Sequence, residues 1–455
     1  MKPTPRQYAL AILTEMEATF ARGGSTLDEH MDRFHRESRL DRRDEAFVTA
    51  LVYGVLRWRM RLDGIISSVS TTPIAKMDPR VLTILRIGLY QILFMNRVPQ
   101  SAAVNTSVEL ANSLQKKWLS GFVNAVLRNV LRDRPKTKDN TADEDPVTRL
   151  ARAQSMPAWL VKRWIDQLGF EEATTLCECC NAIPPLVLRT NTPKVDRTTL
   201  MKALGDHAET IAPTRFSPEG IILDRLREPL FRSRAFEKGW FQIQDEAAQA
   251  VSHLLAPLPG QRVLDACAGL GGKTAHIAAL MGNSGHVTAT DRDARKLHRL
   301  DEEMRRLGIE IVSAQRKDLQ GKQVPEQLGG PFDRILLDAP CSGLGVIRRN
   351  PDTKWSRTLG DIDRCASKQH LLLANLADHL KPEGILVYAV CSTEPEETLA
   401  VVDSFLKNRP DFAIDEAPPE WPSSLMPLLD HSGCMKTAPH LHGTDGFFAV
   451  RLRHC

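Results

Sequence analysis

The sequence predicts a multi-domain protein in which an all-α bundle comes first, a small α+β module second and an α/β domain last. Three patterns lead to this prediction. Residues 1–133 carry apolar side chains at helical spacing, residues 147–235 mix helix and strand patterns, and residues 236–455 alternate strands with helices. A chain of 455 residues is long enough for two to four domains with separate cores.

The N-terminal bundle should be built around one central helix. Pro79 suits the first position of a helix, and the segment 81–93 after it is apolar on almost every side. Residues 134–146, by contrast, are charged and nearly free of apolar side chains, so we interpret them as an exposed linker. The module that follows should contain helices at 159–168 and 171–180 and strands at 186–190 and 220–223.

The C-terminal α/β domain should contain a parallel sheet, because its strands alternate with helices. In a doubly wound sheet with strand order 3-2-1-4-5, the fourth and fifth strands are neighbours and ligands bind at the carboxyl ends. The predicted strands span residues 262–266, 286–290, 310–314, 334–338, 385–391 and 447–452.

Composition argues against several classes of protein. No apolar run reaches the length of a membrane-spanning helix, and the first residues lack the apolar core of a secretory signal. Nine cysteines without framework spacing favour a reducing cytoplasm over a disulfide scaffold. The net charge is +4, but residues 1–135 hold 20 Lys and Arg against 13 Asp and Glu. This basic front end is compatible with nucleic-acid binding without requiring it.

A glycine-rich turn follows the first strand of the α/β domain. Residues 269–272 contain three glycines and lead into a helix that should begin at Lys273. Glycine permits positive φ and close approach of a ligand, and a helix start offers free N–H groups. The P-loop and the dinucleotide fingerprint both fail here, because Cys267 and Thr274 stand where they need glycine. The turn therefore predicts a nucleoside-type cofactor site.

Acids follow the next strands of this domain. Asp291 lies at the tip of the second strand, about 20 residues after the glycines, where an acid can bind ribose hydroxyls. Asp318 ends the loop after the third strand and could face an adenine amino group. Solvated acids beside an ordinary strand–helix connection are the alternative, but acids at successive strand ends favour the nucleoside site.

Two cysteines follow the fourth and fifth strands. Cys341 closes the segment Asp-Ala-Pro-Cys, and Cys391 ends the next strand, so both should emerge side by side at the ligand edge. A lone buried cysteine is usually a small apolar side chain, whereas a pair at matching strand ends indicates a nucleophile.

A thiolate beside a nucleoside-type cofactor suits methyl transfer to carbon 5 of cytosine. Addition of a thiolate at carbon 6 makes carbon 5 nucleophilic toward the methyl group of a sulfonium donor. A base then removes the carbon 5 proton, and elimination releases the cysteine. On this reasoning either Cys341 or Cys391 can supply the thiolate. Asp338 can donate to the cytosine N3 only when protonated, and otherwise can contact only the exocyclic amine.

The segments 332–343 and 388–393, which hold the two cysteines, resemble the signature motifs of the Nol1/Nop2/Sun (Fmu) RNA cytosine-C5 methyltransferases. The resemblance implies a NusB-like RNA-binding fold for residues 1–133 and an RNA-recognition module for residues 147–235. For residues 236–455 it implies a Rossmann-like methyltransferase domain.

The resemblance also implies roles for the site residues. Cys391 would be the nucleophile and Cys341 would assist release. The cofactor would be S-adenosyl-L-methionine. Independently of the resemblance, no metal is expected, because the cysteine cluster at 177–180 has no clear second ligand pair nearby. The substrate would be a cytosine in cytoplasmic small-subunit (16S) rRNA, alone or in a preribosomal particle, and a monomer is expected. The implied cofactor contacts are Cys267, Ala268, Gly269, Leu270, Gly271, Gly272, Lys273, Asp291, Asp318 and Asp338.

The sequence departs from the family pattern at two places, and several functional alternatives stay open. Gly269-Leu270 replaces the usual Ala-Pro, which predicts a more flexible turn, and Val390 replaces the usual threonine. Arg348 and Arg349 could bind RNA phosphates.

Three alternative functions fit parts of the sequence. They are a non-catalytic RNA-binding assembly or antitermination factor, a methyltransferase acting on another RNA, and a DNA cytosine methyltransferase. The set of Asp291, Asp338, Cys341 and Cys391 argues against the first alternative. The NusB-like front end and the second cysteine argue against the last.

Overall fold

The structure is a computed structural model that describes residues 3–20, 26–114, 117–133, 145–321, 328–416, 418 and 421–455. Most of the predicted linker lies outside the described residues. The chain forms two compact units. One contains the residues up to Ala182 together with Ile347–Arg357, and the other contains Ile183–Val346 with Thr358–Cys455. The domain boundaries proposed above remain predictions.

The first unit is helical throughout its regular elements, and the central helix expected after Pro79 is confirmed. Asp78 caps this helix by accepting a hydrogen bond from the Arg80 backbone, and every residue from 81 to 91 is buried. The helices are α1 Pro5–Phe20, α2 Leu27–Glu37, α3 Arg42–Val69, α4 Pro79–Phe94, α5 Gln100–Asn112, α6 Lys117–Asp133, α7 Pro146–Ala153, α8 Ala158–Leu168 and α9 Phe170–Asn181.

The second unit contains two sheets. The smaller sheet is antiparallel with order β2-β3-β1-β4 and includes both strands that the sequence predicts in this region. Its strands are β1 Leu186–Thr190, β2 Ala208–Pro213, β3 Gly220–Leu226 and β4 Phe241–Ile243.

The larger sheet has the order β10-β12-β9-β8-β5-β6-β7, with β11 beside β12. Its parallel part runs β7-β6-β5-β8-β9, which confirms the predicted order 3-2-1-4-5, and β12 joins β9 antiparallel. The strands are β5 Arg262–Asp265, β6 His286–Asp291, β7 Val312–Arg316, β8 Phe332–Asp338, β9 Leu380–Val390, β10 Phe412–Ile414, β11 Met435–Thr437 and β12 Phe447–His454.

Helices cover the parallel sheet on both faces, as the apolar strands require. Apolar residues of α16 and α17 share one core with the sheet, and those of α12 and α13 share another. Among the described residues, no helix is long and apolar enough to cross a membrane. The remaining helices are α10 Arg197–Ala203, α11 Arg234–Glu237, α12 Glu246–Leu255, α13 Gly272–Leu280, α14 Ala294–Leu307, α15 Thr353–Ser356, α16 Leu359–Ala377, α17 Leu399–Asn408 and α18 Pro439–His442.

The segment Ile347–Arg357, which carries α15, is built into the helical unit. The Lys354 ammonium is buried and donates to the Arg57 carbonyl at 2.8 Å, the Ser155 carbonyl at 3.0 Å and Asn181 Oδ1 at 2.9 Å. Arg348 is buried as well, and its carbonyl accepts from the Arg57 guanidinium at 2.6 Å. Arg348 therefore does not present its side chain to solvent, as a phosphate-binding arginine would.

Substitution of Lys354 by methionine is expected to destabilise the first unit by about 2–5 kcal/mol, because three buried acceptors would lose their donor. Burial lowers the pKa of Lys354 to about 7, so near neutral pH the side chain readily changes between ammonium and neutral amine. Urea unfolding monitored by circular dichroism measures the change. The matched control is Lys162→Met, which removes an exposed lysine from α8. Equal stability of the two variants would contradict the expectation.

Candidate functional site

The two cysteines meet at the carboxyl edge of the larger sheet. Because β8 and β9 pair in parallel with Asp338 opposite Ala389, the loops that follow them emerge together. The Cys341 and Cys391 sulfur atoms lie 3.1 Å apart, and both side chains are half-buried. This confirms the predicted juxtaposition.

The surroundings distinguish the two thiols. The hydrogen bond with Cys391, burial, and the charges of Cys391 and Glu397 all raise the pKa of Cys341 well above the ordinary thiol value. Lys273, in contrast, faces Cys391 closely enough for the charge of that cysteine to contribute to the raised pKa of the lysine. The local charges therefore disfavour a thiolate at Cys341, whereas Cys391 lies within electrostatic reach of a cation.

Lys273 is paired with Asp338 across the site. The ammonium donates to Asp338 Oδ2 at 2.6 Å, and the lysine lies 5.1 Å from the centre of the Phe447 ring. Burial would lower the pKa of Lys273, but Asp338 and Cys391 outweigh burial and raise it. Sequence reasoning placed Lys273 in the cofactor turn; the structure brings its charge to the cysteines and to Asp338.

The glycine turn leaves space for a nucleoside. Gly271 has a φ of 85° and begins α13, and a Cβ there would lie 2.7 Å from the Leu300 side chain. Gly269 has a φ of 56° with open space where a Cβ would be, and its N–H donates to Asp291 Oδ2 at 3.1 Å. The uncapped start of α13, the open turn and the Asp291 carboxylate together fit a nucleoside with hydroxyl groups.

The other predicted cofactor contacts differ in exposure. Cys267 packs against the apolar core, and burial raises the pKa of its thiol. Ala268 is buried, and its N–H donates to the Thr290 carbonyl at 2.8 Å. Leu270 is 46% exposed and Gly272 is half-buried, so both are more accessible.

Asp318 lies apart from the cysteine pair. It is exposed and lines an open cleft of about 790 Å³ beyond β6 and β7, together with Arg292, Arg316 and Lys317. The cleft adjoins the loop that begins at Asp291, which is compatible with the predicted contact to an adenine.

Sequence reasoning assigned no separate role to Asp265, the last residue of β5. The side chain is buried, and the Thr274 hydroxyl donates to its Oδ2 at 2.7 Å. Burial raises the pKa of Asp265 to about 7, although the Thr274 hydrogen bond opposes the shift. This acid lies beneath the glycine turn and links β5 to α13, so its charge state affects the support of the cofactor site.

The Asp265 carboxyl should make the stability of the second unit depend on pH. It ionises near pH 4 when unfolded and near pH 7 when folded, so its stabilising contribution is complete below pH 4 and is lost as the pH rises through 7. The loss is on the order of 4 kcal/mol. Asp265→Asn should remove this loss in urea unfolding at pH 4 and pH 8, whereas the exposed control Asp301→Asn should follow the wild type. If Asp265→Asn also follows the wild type, the pKa is not raised.

Sequence reasoning also missed Glu397, which is fully buried behind the cysteine loops. A signal was available, since each cysteine is followed by a serine and the acid comes six residues after Cys391.

A parallel sheet of order 3-2-1-4-5, with a glycine turn after its first strand and an acid at the tip of the second, has the architecture of the Rossmann-like class of nucleoside-binding domains. The family model described as 16S rRNA methyltransferase RsmB/F matches residues 252–453. The NusB family model matches residues 3–132, and an RsmF/B-like ferredoxin-like domain matches residues 156–228. These matches confirm the predicted NusB-like bundle, α+β module and methyltransferase domain.

Whole-chain relatives show the family. The chain is 35% identical over 455 residues to a probable ribosomal RNA small subunit methyltransferase B of Bacillus subtilis, covering 99% of each chain. It is 38% identical to the ribosomal RNA small subunit methyltransferase B of Pseudomonas syringae, covering 88% of this chain and 86% of that one. The crystal structure of PH0851 shares the fold, with a TM-score of 0.80, 24% identity and 99% coverage of both chains. The chain therefore belongs to the RsmB/F family of methyltransferases and is a transferase.

Proposed function

We propose that this protein methylates carbon 5 of a cytosine in small-subunit (16S) rRNA, using S-adenosyl-L-methionine and a covalent cysteine adduct in the cytoplasm. The observation that carries the proposal is the pair of thiols 3.1 Å apart beside the Lys273–Asp338 ion pair. Methyl transfer to a base carbon needs a nucleophile, a proton donor and a base, and this arrangement contains a candidate for each. The relatives' names supply the substrate class.

Cys391 begins the reaction in this proposal. Its thiolate adds to carbon 6 of the cytosine, and the electrons displaced from the ring move toward carbon 5 and N3. Lys273 can donate a proton to the polarised ring edge, while the Asp338 carboxylate accepts from the exocyclic amine. This division of roles removes the requirement for a protonated Asp338, because a cation is held 2.6 Å from it.

Cys341 completes the reaction. When Cys391 is bonded to carbon 6 it no longer carries a charge, and one cause of the raised pKa of Cys341 disappears. Once carbon 5 carries the methyl group, Cys341 can release its own proton to solvent and take the carbon 5 proton. Lys273 takes back the proton that it gave to the ring. The carbon 6–sulfur bond breaks, the double bond reforms and Cys391 leaves as a thiolate. The order of roles follows the family resemblance, and the local charges support it.

The glycine turn and Asp291 would hold S-adenosyl-L-methionine, which supplies an electrophilic methyl group to carbon 5. Gly269 provides open space and Gly271 opens the helix start, while the Asp291 carboxylate suits ribose hydroxyls. Asp318 would approach the adenine from the adjoining cleft.

Asp291→Ala is expected to weaken S-adenosyl-L-methionine binding roughly 10- to 100-fold, the loss of one or two hydrogen bonds to a charged group. Isothermal titration calorimetry measures the dissociation constant. The control Asp301→Ala, an exposed acid of α14, should bind like the wild type. Wild-type affinity of Asp291→Ala would place the ribose elsewhere.

The proposed reaction is tested by incubating the protein with 16S rRNA and S-adenosyl-L-methionine and analysing nucleosides by mass spectrometry. We expect 5-methylcytidine in RNA and none in DNA of the same sequence. A methylated nucleoside other than 5-methylcytidine would overturn the proposal. Among the described residues, no contact specifically favours the alternative function of a non-catalytic assembly factor.

A further inference from the structure

We propose that Glu397 is a positioning residue that holds the Cys341 and Cys391 loops in register and keeps the two thiols chemically distinct. The inference rests on the proposed function and adds a residue to it. Glu397 lies in the turn after Cys391 and is 0% exposed, so it does not touch the RNA or the cofactor directly.

The first support for this role is that one carboxylate binds the residue directly after each cysteine. The Ser342 N–H donates to Glu397 Oε1 at 2.7 Å, and the Ser342 hydroxyl donates to Oε2. The Ser392 hydroxyl donates to the same Oε2 at 2.6 Å. An ionised carboxylate has two oxygens that can accept several charge-assisted hydrogen bonds at once, whereas the side chains of serine and amide residues are uncharged. The carboxylate therefore joins the two loops that carry the thiols.

Further hydrogen bonds hold Glu397 in place between the two cysteine loops. Gln369 of α16 donates to Glu397 Oε1 at 3.1 Å and to the Pro340 carbonyl at 3.0 Å, immediately before Cys341. The Tyr388 hydroxyl donates to the Glu397 carbonyl at 2.6 Å. A buried polar network in which the donors are directed at one acceptor holds its members in one geometry.

A direct contact between the loops shows how little freedom they have. The Gly345 N–H donates to the Cys391 carbonyl at 3.1 Å, and a Cβ at Gly345 would lie 3.0 Å from the Cys391 carbonyl oxygen. A small shift of either cysteine loop would therefore disturb the other. Since a misplacement of about 1 Å can cost roughly 100-fold in rate, a residue that holds this spacing affects catalysis.

Charge provides the second support. Glu397 places a buried negative charge near Cys341 and contributes to its raised pKa, after the hydrogen bond to Cys391, burial and the Cys391 charge. Lys273, which is paired with Asp338, interacts electrostatically with Cys391. Tyr388 from β9 also interacts with Cys341, and burial raises the pKa of this tyrosine. The charge of Glu397 therefore makes Cys341 harder to ionise, which helps to keep Cys341 as a thiol when the reaction begins.

The decisive variant is Glu397→Gln, which keeps the size of the side chain and removes its charge. We expect kcat to fall by about 100-fold while KM for RNA and for S-adenosyl-L-methionine changes by less than about threefold. We also expect alkylation by iodoacetamide, located by peptide mass spectrometry, to shift toward Cys341 relative to Cys391 by about tenfold, the effect of one pKa unit. A residue that only stabilised the fold would not change this ratio.

Glu396→Gln is the matched control, because it removes the same charge from the neighbouring, half-buried position, and it should behave as the wild type. Wild-type kcat and an unchanged alkylation ratio in Glu397→Gln would overturn the inference. If Glu397→Gln does not fold, the double variant Ser342→Ala, Ser392→Ala decides, since it keeps the charge but removes two donors. An unchanged kcat in that double variant overturns the positioning role, and a lowered kcat with an unchanged alkylation ratio supports it.

Failure of the proposed function has a different signature. If the wild type does not methylate carbon 5 of cytosine, or does so without Cys391, the chemistry assigned to the pair is wrong. If the wild type does so through Cys391 and only the Glu397→Gln result fails, the positioning role alone is wrong.

Discussion

Cys341→Ala is expected to leave the protein covalently bound to its RNA substrate. Cys391 would still add to carbon 6, but the nearby sulfur that takes the carbon 5 proton would be absent, so the adduct would accumulate. A denaturing gel of the purified variant should show a slowly migrating protein band that disappears with nuclease. The same band should be absent from the Cys341→Ala, Cys391→Ala double variant.

Cys391→Ala by itself is expected to reduce turnover by at least about 10⁴-fold, because covalent activation of the ring has no substitute. The control is Cys455→Ala, an exposed cysteine at the end of β12, which should keep full activity. Normal turnover by Cys391→Ala would contradict the proposed chemistry. A missing band with Cys341→Ala, while the wild type methylates, would require the roles of the two cysteines to be reassigned.

The second large effect is expected from the ion pair. Lys273→Met and Asp338→Asn should each slow the single-turnover rate by about 10²–10⁴-fold, the usual contribution of a positioned proton donor or acceptor. Each substitution also leaves its former partner half-buried without its 2.6 Å contact. Because the two side chains act as a unit, the double variant should lose little more than either single one.

Rapid-quench measurements with saturating RNA and S-adenosyl-L-methionine separate this loss from weakened binding. Lys296→Met is the matched control, since it removes an exposed lysine from α14 and should leave the rate unchanged. Full additivity of the two losses would mean that Lys273 and Asp338 work independently. An unchanged rate in both single variants would exclude them from proton transfer.

The strands of the larger sheet could be predicted in part from the pattern of apolar residues. Alternating apolar strands and helices predict a doubly wound sheet, and 3-2-1-4-5 is one of the common orders for such a sheet. The sequence predicts the third strand at 310–314, whereas the structure has it at Val312–Arg316, because the polar Ser313 and Gln315 make its ends hard to recognise from apolar residues. Its ends are set by pairing with β6.

The sequence by itself determined the succession of a helical front, an α+β module and a parallel sheet, and it brought both cysteines to one edge. Those conclusions depend on local periodicity and on the rule that parallel strands end together. The family motif also supplied an order for the cysteine roles, which the residues alone left open.

Only the tertiary structure decided the electrostatics of the site. The sequence gives no sign that Lys273 lies 2.6 Å from Asp338, 65 residues away, or that Glu397 accepts from the serines after both cysteines. The same holds for Lys354, whose three acceptors come from separate helical segments and a turn. Such pairings depend on which side chains lose water together when distant segments pack, and no local pattern records that loss.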